Sequence, residues 1–415
     1  MEINLANTSF ILICSALVFL MTPALAFFYG GMVRRKNVLN TLLTSFFICG
    51  LASVMWVLIG YSMSFGNDFL GIIGKLNFFG LVGVGQTPNP AYSNDIPQLL
   101  FAIFQMMFAI ITPALITGSL VERMKFSSIF TFIAAWSILV YYPLAHMVWG
   151  DGGFIKALGA VDFAGGNVVH ISSGVAGLIS CIMLGRRKGH GLISYKPHNI
   201  PFVVLGAALL WFGWFGFNSG SALNAGPLAI HAFMTTNTSA ASAMLSWMLL
   251  EKIKHGKTTI LGCSTGAILG LVAITPGAGF VPIWSSIIIG ALVSPISFLF
   301  ISKVKAKFGY DDALDAFGCH GIGGIWGGIA TGIFTQTSIN SSAKWNGLLF
   351  GDIHLFIAQI ESILLTILIS ATMTYLIIKV MKLFTDIRVS ELNEADGLDI
   401  SEHSESAYPA FNGLD

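Results

Sequence analysis

Two histidines stand in strongly apolar surroundings, His170 in GGNVVHISSG and His320 in DAFGCHGIGG. Each has an aspartate eight residues upstream, Asp162 and Asp312. An imidazole can accept or donate a proton near neutral pH, so such a pair can line a narrow polar path. Two histidines can also ligate a haem in an electron-transfer enzyme. That use needs room for a macrocycle and commonly brings further histidine pairs, and no second pair lies deep in the apolar runs. Taken singly, a histidine in an apolar helix more often serves as a hydrogen-bonding contact between helices.

Aromatic residues form a second group. Phe104 and Phe108 are one helical turn apart and share a face. Trp149 closes AHMVW, and Phe217 and Ser221 sit in WFGFNSGS. Ring faces with a hydroxyl can attract a small cation before it loses its water. Aromatics at helix ends also form ordinary interfacial belts. Glu361 is the one acid well inside an apolar run, where a carboxylate is a functional candidate. It could also face a subunit interface or an outer vestibule. The five cysteines are odd in number and unpaired as CxxC, so they read as small buried hydrophobes. No metal site and no cofactor is expected.

The elements that carry these residues follow from composition. Of 415 residues, 55% are hydrophobic and only 10% charged, with 46 glycines and 33 phenylalanines. A soluble protein of this size could not cover its surface with so few charges. The net charge of +1, with scattered Lys and Arg, excludes a basic nucleic-acid binder. What remains is an all-α polytopic membrane protein. Eleven runs are long enough to span: near 8–33, 38–65, 97–121, 126–147, 167–185, 199–219, 227–250, 258–275, 281–302, 318–336 and 352–383. The last exceeds the bilayer core, so it must tilt or project. Eighteen of the 21 Lys and Arg residues fall on one alternate set of connections, starting with Arg34-Arg35-Lys36. Basic loops face the cytoplasm, which puts the N-terminus outside and the C-terminus inside. The first run has no basic flank before it and reads as a permanent helix, not a cleaved signal.

The histidine-bearing spans are five apart and cross in opposite directions. This predicts a 5+5 inverted repeat with a long final helix, and brings His170 and His320 together near its axis. Small-residue ridges at Gly262/Gly266/Gly270, Gly324/Gly328/Gly332 and Gly177/Cys181/Gly185 predict close helix packing and a narrow lumen. Residues 1–384 thus form one transmembrane domain. The segment 385–415 holds eight of the twenty acids and reads as a cytoplasmic tail, either merely solvating or regulatory.

These motifs resemble the ammonium transporter family (Amt/Mep/Rh), most of all its bacterial members. The resemblance runs from about residue 8 into the tail. It is carried by Phe104 to Phe108, YYPLAHMVWG (141–150), DFAGGNVVH (162–170), WFGFNSGS (214–221), DDALDAFGCHG (311–321) and the tail stretch DGLDISEHSESAY (396–408). It implies an ammonium recruitment site at Phe108, Trp149 and Ser221, and a gate of stacked rings at Phe108 and Phe217. His170 and His320 would be twin histidines sharing a proton along the lumen, and Asp162 an electrostatic support near the recruitment site. It further implies a homotrimer in the cell membrane with one pore per subunit. A PII-type signalling protein would engage the tail, where Gly397, Asp399, His403 and Tyr408 match. Ser404 departs from the glycine of many relatives, and Ser219 is a milder change. The leading expectation is ammonium uptake. An ammonium sensor with little flux is the alternative, and a bis-histidine haem membrane enzyme the reading from another class.

Overall fold

A computed structural model describes residues 2–408, so Met1 and the final stretch of the acidic tail, 409–415, lie outside it. Among the described residues, eleven long helices precede the tail, with a short one at Phe154–Ala157 between the fourth and fifth. They are α1 (Leu5–Met32), α2 (Arg35–Phe65), α3 (Gln98–Ser119), α4 (Phe126–Trp136, continued through Ser137–Tyr141 and Tyr142–Trp149) and α5 (Gly166–Leu184). Then come α6 (Ile200–Gly220), α7 (Pro227–His255), α8 (Ile260–Ile274), α9 (Ile283–Phe308), α10 (Phe317–Gly321 with Ile322–Phe334) and α11 (His354–Phe384). A two-stranded antiparallel hairpin, β1 (Asp68–Phe69) with β2 (Ile73–Gly74), decorates the α2–α3 connection. Two short tail helices, α12 (Glu391–Asp396) and α13 (Leu398–His403), end the described chain.

By length and apolarity alone, eight helices among the described residues could each cross a membrane. The other three expected spans are α7, α8 and α10, and each departs for a visible reason. Helix α7 is rich in hydroxyls, and they are spent on its neighbours. Ser239 Oγ donates to the Gly270 carbonyl (2.8 Å), Thr235 to Ala278 (2.8 Å), and Ser242 and Ser246 to Ile287 and Ala291 of α9. Helix α8 has only 15 residues, roughly 22 Å against a 30 Å core. It is prolonged by the irregular segment 275–282, which is buried in protein rather than exposed to lipid. Carbonyls there accept from Phe163 N–H (Pro276), Thr235 (Ala278) and Gln336 N–H (Phe280). Helix α10 is glycine-rich and interrupted near its start.

The glycine ridges are seams. Gly262, Gly266 and Gly270 set α8 against Trp247, Ala243 and Ser239 of α7, and Gly324, Gly328 and Gly332 set α10 against α5 and α11. The third ridge is only part of one. Gly177 abuts Ser119, but Gly185 is the α5 C-cap at φ 81°, a backbone terminus and not a packing step. A further seam joins α1 to α6, where Gly206, Gly213 and Gly216 lie against the α1 backbone.

Two pairs of helices repeat one local device. Asp162 accepts from the N–H groups of Gly165 (2.8 Å), Gly166 (2.6 Å), Asn167 (2.8 Å) and Val168 (3.4 Å), capping α5. Asp312 accepts from Ala316 (3.2 Å) and Phe317 (2.9 Å) and caps α10. Each cap is followed by a widened π-helical turn that carries the histidine, Gly166–Ile171 and Phe317–Gly321. Helices α4 and α9 share such a turn too, at Ser137–Tyr141 and Phe300–Val304. The matches α4 to α9 and α5 to α10 are those of a 5+5 repeat. Between the halves the α5 and α10 backbones touch, so that a Cβ on Gly174 would collide with Gly321.

Candidate functional site

A cavity of about 400 Å³ opens at the end of the bundle that carries the β1–β2 hairpin. Phe108, Trp149, Asp162 and Ser221 all line it, with Gln105 and Tyr92. Trp149 ends α4, and its indole N–H donates to the Asp162 carbonyl at 2.9 Å. Ser221 follows α6 and donates its hydroxyl to the Phe217 carbonyl at 2.9 Å, which leaves its oxygen lone pairs for the cavity. The floor is aromatic. Phe108 meets Trp149 edge-on (centroids 5.9 Å, planes 83° apart) and Phe217 at a tilt (4.4 Å, 34°). Phe108 and Phe217 are 1% and 0% exposed.

Behind the rings lies the histidine pair. His170 is 6.2 Å from Phe217 and 5.3 Å from His320, centroid to centroid, with the imidazole planes only 18° apart. Trp214 flanks His170 at 5.3 Å and 23°, fixed by its N–H bond to Thr275 Oγ1 (2.9 Å). Both ring nitrogens of His170 and Nδ1 of His320 are buried without a hydrogen-bond partner. No direct hydrogen bond joins the two rings. Buried polar atoms almost always have partners. Three imidazole nitrogens here lack a partner within the protein.

The opposite end is built from ions. Glu122, in the α3–α4 loop at φ 69°, accepts from the Arg34 N–H (2.9 Å), from Asn37 (3.1 Å) and from Arg187 (2.9 Å). Asp311 takes a two-pronged bond from Arg187 (2.9 and 2.8 Å) and faces Arg123 at 3.5 Å. Burial alone would raise the Asp311 carboxyl. The bonds and charge of Arg187, helped by Arg123, outweigh burial and hold it well below the usual carboxylate range. This cluster locks the ends of α1, α3 and α5 to the start of α10, and so fixes the helices that carry the histidines.

The tail packs on this same face. Gly397, at φ 108°, lies against the Lys36 backbone, where any side chain would collide. Asp399 accepts the Asn40 N–H at 2.8 Å, and His403 is 2.9 Å from the Asn40 amide. Tyr408 is 3.0 Å from His198 and lies under Arg35 at 5.0 Å. Ser404 holds a left-handed φ of 57°, a conformation glycine adopts at less cost.

Glu361 is exposed on α11 and lines none of the cavity. Sequence reasoning gave no role to Gln105, whose buried Oε1 has no partner at the cavity wall, nor to the flanking ring of Trp214. An amide beside the Phe104–Phe108 face and the polar edge of an indole within a span were the available signals.

Residues 9–408 match the model of the Ammonium Transporter Family. An ammonium transporter of Bacillus subtilis (strain 168) is 52% identical over 407 residues, covering 98% of this chain and 99% of that protein. The crystal structure of Saccharomyces cerevisiae Mep2 superposes with TM-score 0.88 at 36% identity, over 94% of this chain and 88% of that one. A structure titled Sensor Amt Protein reaches 0.87 at 27% identity, over 96% and 98%. With helices, cavity and buried imidazoles arranged as described, the chain belongs to the ammonium transporter family.

Proposed function

We propose that this protein takes up ammonium by stripping a proton at the aromatic gate and conducting ammonia past the histidines. The observation that carries this reading is the Phe108–Phe217 ring pair, which lies between a polar, aromatic cavity and the buried His170–His320 pair. The ring faces of Phe108 and Trp149 and the free lone pairs of Ser221 suit an ammonium ion. An ammonium resembles the head of lysine, whose value of about 10.4 in water falls to roughly 5–6 on burial. Entry into the passage therefore favours loss of a proton, which is then relayed separately. Potassium has no proton to lose, and its bare transfer into such a lumen costs tens of kcal/mol on a Born estimate. The basic-loop alternation supports an N-out, C-in orientation in the cell membrane. Family membership supports a homotrimer, and the packed tail with Gly397, Asp399, His403 and Tyr408 a docking face for a PII-type protein.

Proteoliposomes on a solid-supported membrane, given an ammonium jump, test the mechanism. We expect a current with ammonium and none with potassium, and loss of current or of selectivity in His170→Ala/His320→Ala. Unchanged current and selectivity in that variant would overturn the twin-histidine role. The likeness to a structure titled as a sensor, with the tail seated on the bundle, keeps sensing as a second reading. Deleting 390–415 separates the two, because a transporter keeps or gains flux while a sensor loses its output. The haem reading finds no support, since Trp214 and His320 crowd His170 at 5.3 Å each.

A further inference from the structure

The aromatic cavity carries a charge that does not suit a cation. Two charged side chains line it, Asp162 and Lys156. The Asp162 carboxylate is engaged by four backbone N–H groups at the start of α5, and that positive helix end offsets its charge. Lys156 has no such offset. It lies on the short helix Phe154–Ala157 of the α4–α5 connection and is exposed. It forms no ion pair among the described residues.

The lysine head is nonetheless held in place. Its amine stands 3.5 Å from the Trp149 carbonyl. Trp149 ends α4, so this carbonyl belongs to the negative end of a helix, which favours a cation. Trp149 also lines the cavity, so the amine is kept beside the site. The other polar side chains at the rim, Tyr92, Asn340 and Ser342, are neutral. A surface lysine ordinarily serves solubility. Lys156, however, is one of three Lys and Arg residues outside the basic loops, and of those three it alone borders the cavity.

We propose that Lys156 sets the affinity of the recruitment site, its charge opposing that of an arriving ammonium ion. This rests on the reading that the cavity recruits ammonium. A conducting site must bind well enough to fill and weakly enough to empty. A repelling charge at the rim shifts that balance towards emptying. A unit charge about 8 Å away, seen through water, weakens binding roughly threefold.

Ammonium jumps of increasing size, on proteoliposomes of native protein, Lys156→Gln, Lys156→Glu and Lys156→Arg, test the role. We expect half-saturating ammonium to fall about threefold in Lys156→Gln and, with two charges changed, about ninefold in Lys156→Glu. Lys156→Arg should match the native protein. The shifts should collapse in 1 M sodium chloride, where the screening length is about 3 Å. An unchanged half-saturating concentration in Lys156→Gln, equal shifts in Lys156→Gln and Lys156→Arg, or shifts that survive the salt overturn the proposal. So does a change confined to the maximal current. Thermal melts of the four detergent-solubilised proteins, titrated with ammonium chloride, give a reading that needs no flux. If native protein carries no current, the uptake reading fails, while the same order of affinities in the melts still upholds the role of Lys156. Equal affinities there overturn it, and melts indifferent to ammonium overturn it together with the recruiting role of the cavity.

Discussion

Asp162 shows how one residue serves both packing and site. Its carboxylate takes four backbone N–H groups at the start of α5, while its own carbonyl holds the Trp149 indole. Hydrogen bonds to a charged acceptor are worth about 1.5–3 kcal/mol each, and orphaned buried donors add to the cost of losing them. We expect Asp162→Ala to destabilise the detergent-solubilised protein by about 3 kcal/mol or more, read as a fall in midpoint on denaturation. Asp162→Asn should cost less and still depress ammonium current, because Trp149 and the His170 turn lose their shared anchor. Ser404 supplies a test of opposite sign. Its left-handed backbone costs about 1 kcal/mol relative to glycine. Ser404→Gly should therefore slow hydrogen exchange of the amides in Leu398–His403 roughly fivefold, and no slowing would mean that α13 is not held through that cap.

At the scale of elements, the ionic cluster sets how the helix ends respond to acid. Glu122 and Asp311 each have folded values below the ordinary carboxylate range, because arginine contacts outweigh burial. Groups shifted in that direction add stability that is present above about pH 4 and lost as pH falls through their folded values. Arg187→Gln removes the cation that Glu122 and Asp311 share, leaving Arg34 to the first and Arg123 to the second. We expect a loss of about 3–5 kcal/mol near neutral pH, partly restored by acidification because the weakened pairing no longer offsets the burial of the two carboxylates. Melting curves from pH 4 to 8 would check this, and a variant that loses stability on acidification, as the native protein does, would refute it. How much of this was readable beforehand follows the same physics. The histidines and ring clusters stood out because polar and aromatic groups in apolar runs are expensive or conspicuous. The long apolar helices were legible from hydropathy. The cluster was not, because Arg123 and Arg187 look like any cytoplasmic loop cations until Glu122 and Asp311 arrive from distant loops. The α1–α6 seam was missed because Gly206, Gly213 and Gly216 are spaced seven and three apart and not in a GxxxG run. The run 227–250 reads as a span although α7 is rich in hydroxyls, because its neighbours satisfy them.

For the molecule as a whole, orientation is the property on which uptake depends. Four of the five native cysteines are buried and the fifth is half-buried, so single added cysteines can report which side is which. We expect Lys156→Cys, in the α4–α5 connection, to react with a membrane-impermeant maleimide in intact cells. Glu405→Cys, in the tail, should react only after permeabilisation, and the reverse pattern would invert the proposed direction of uptake. The paired π-helical turns carry one more consequence. Such a turn holds an extra residue relative to the α-helix around it. Removing a single residue from Gly166–Ile171 would let the widened turn close to an ordinary α-helical one, so the rest of α5 keeps its face and Gly174 stays against Gly321. The regular stretch Ser172–Leu184 has no such slack, and one residue lost there turns everything beyond it by about 100°. The helix should therefore bear the loss of one codon in the histidine turn far better than the same loss a turn later.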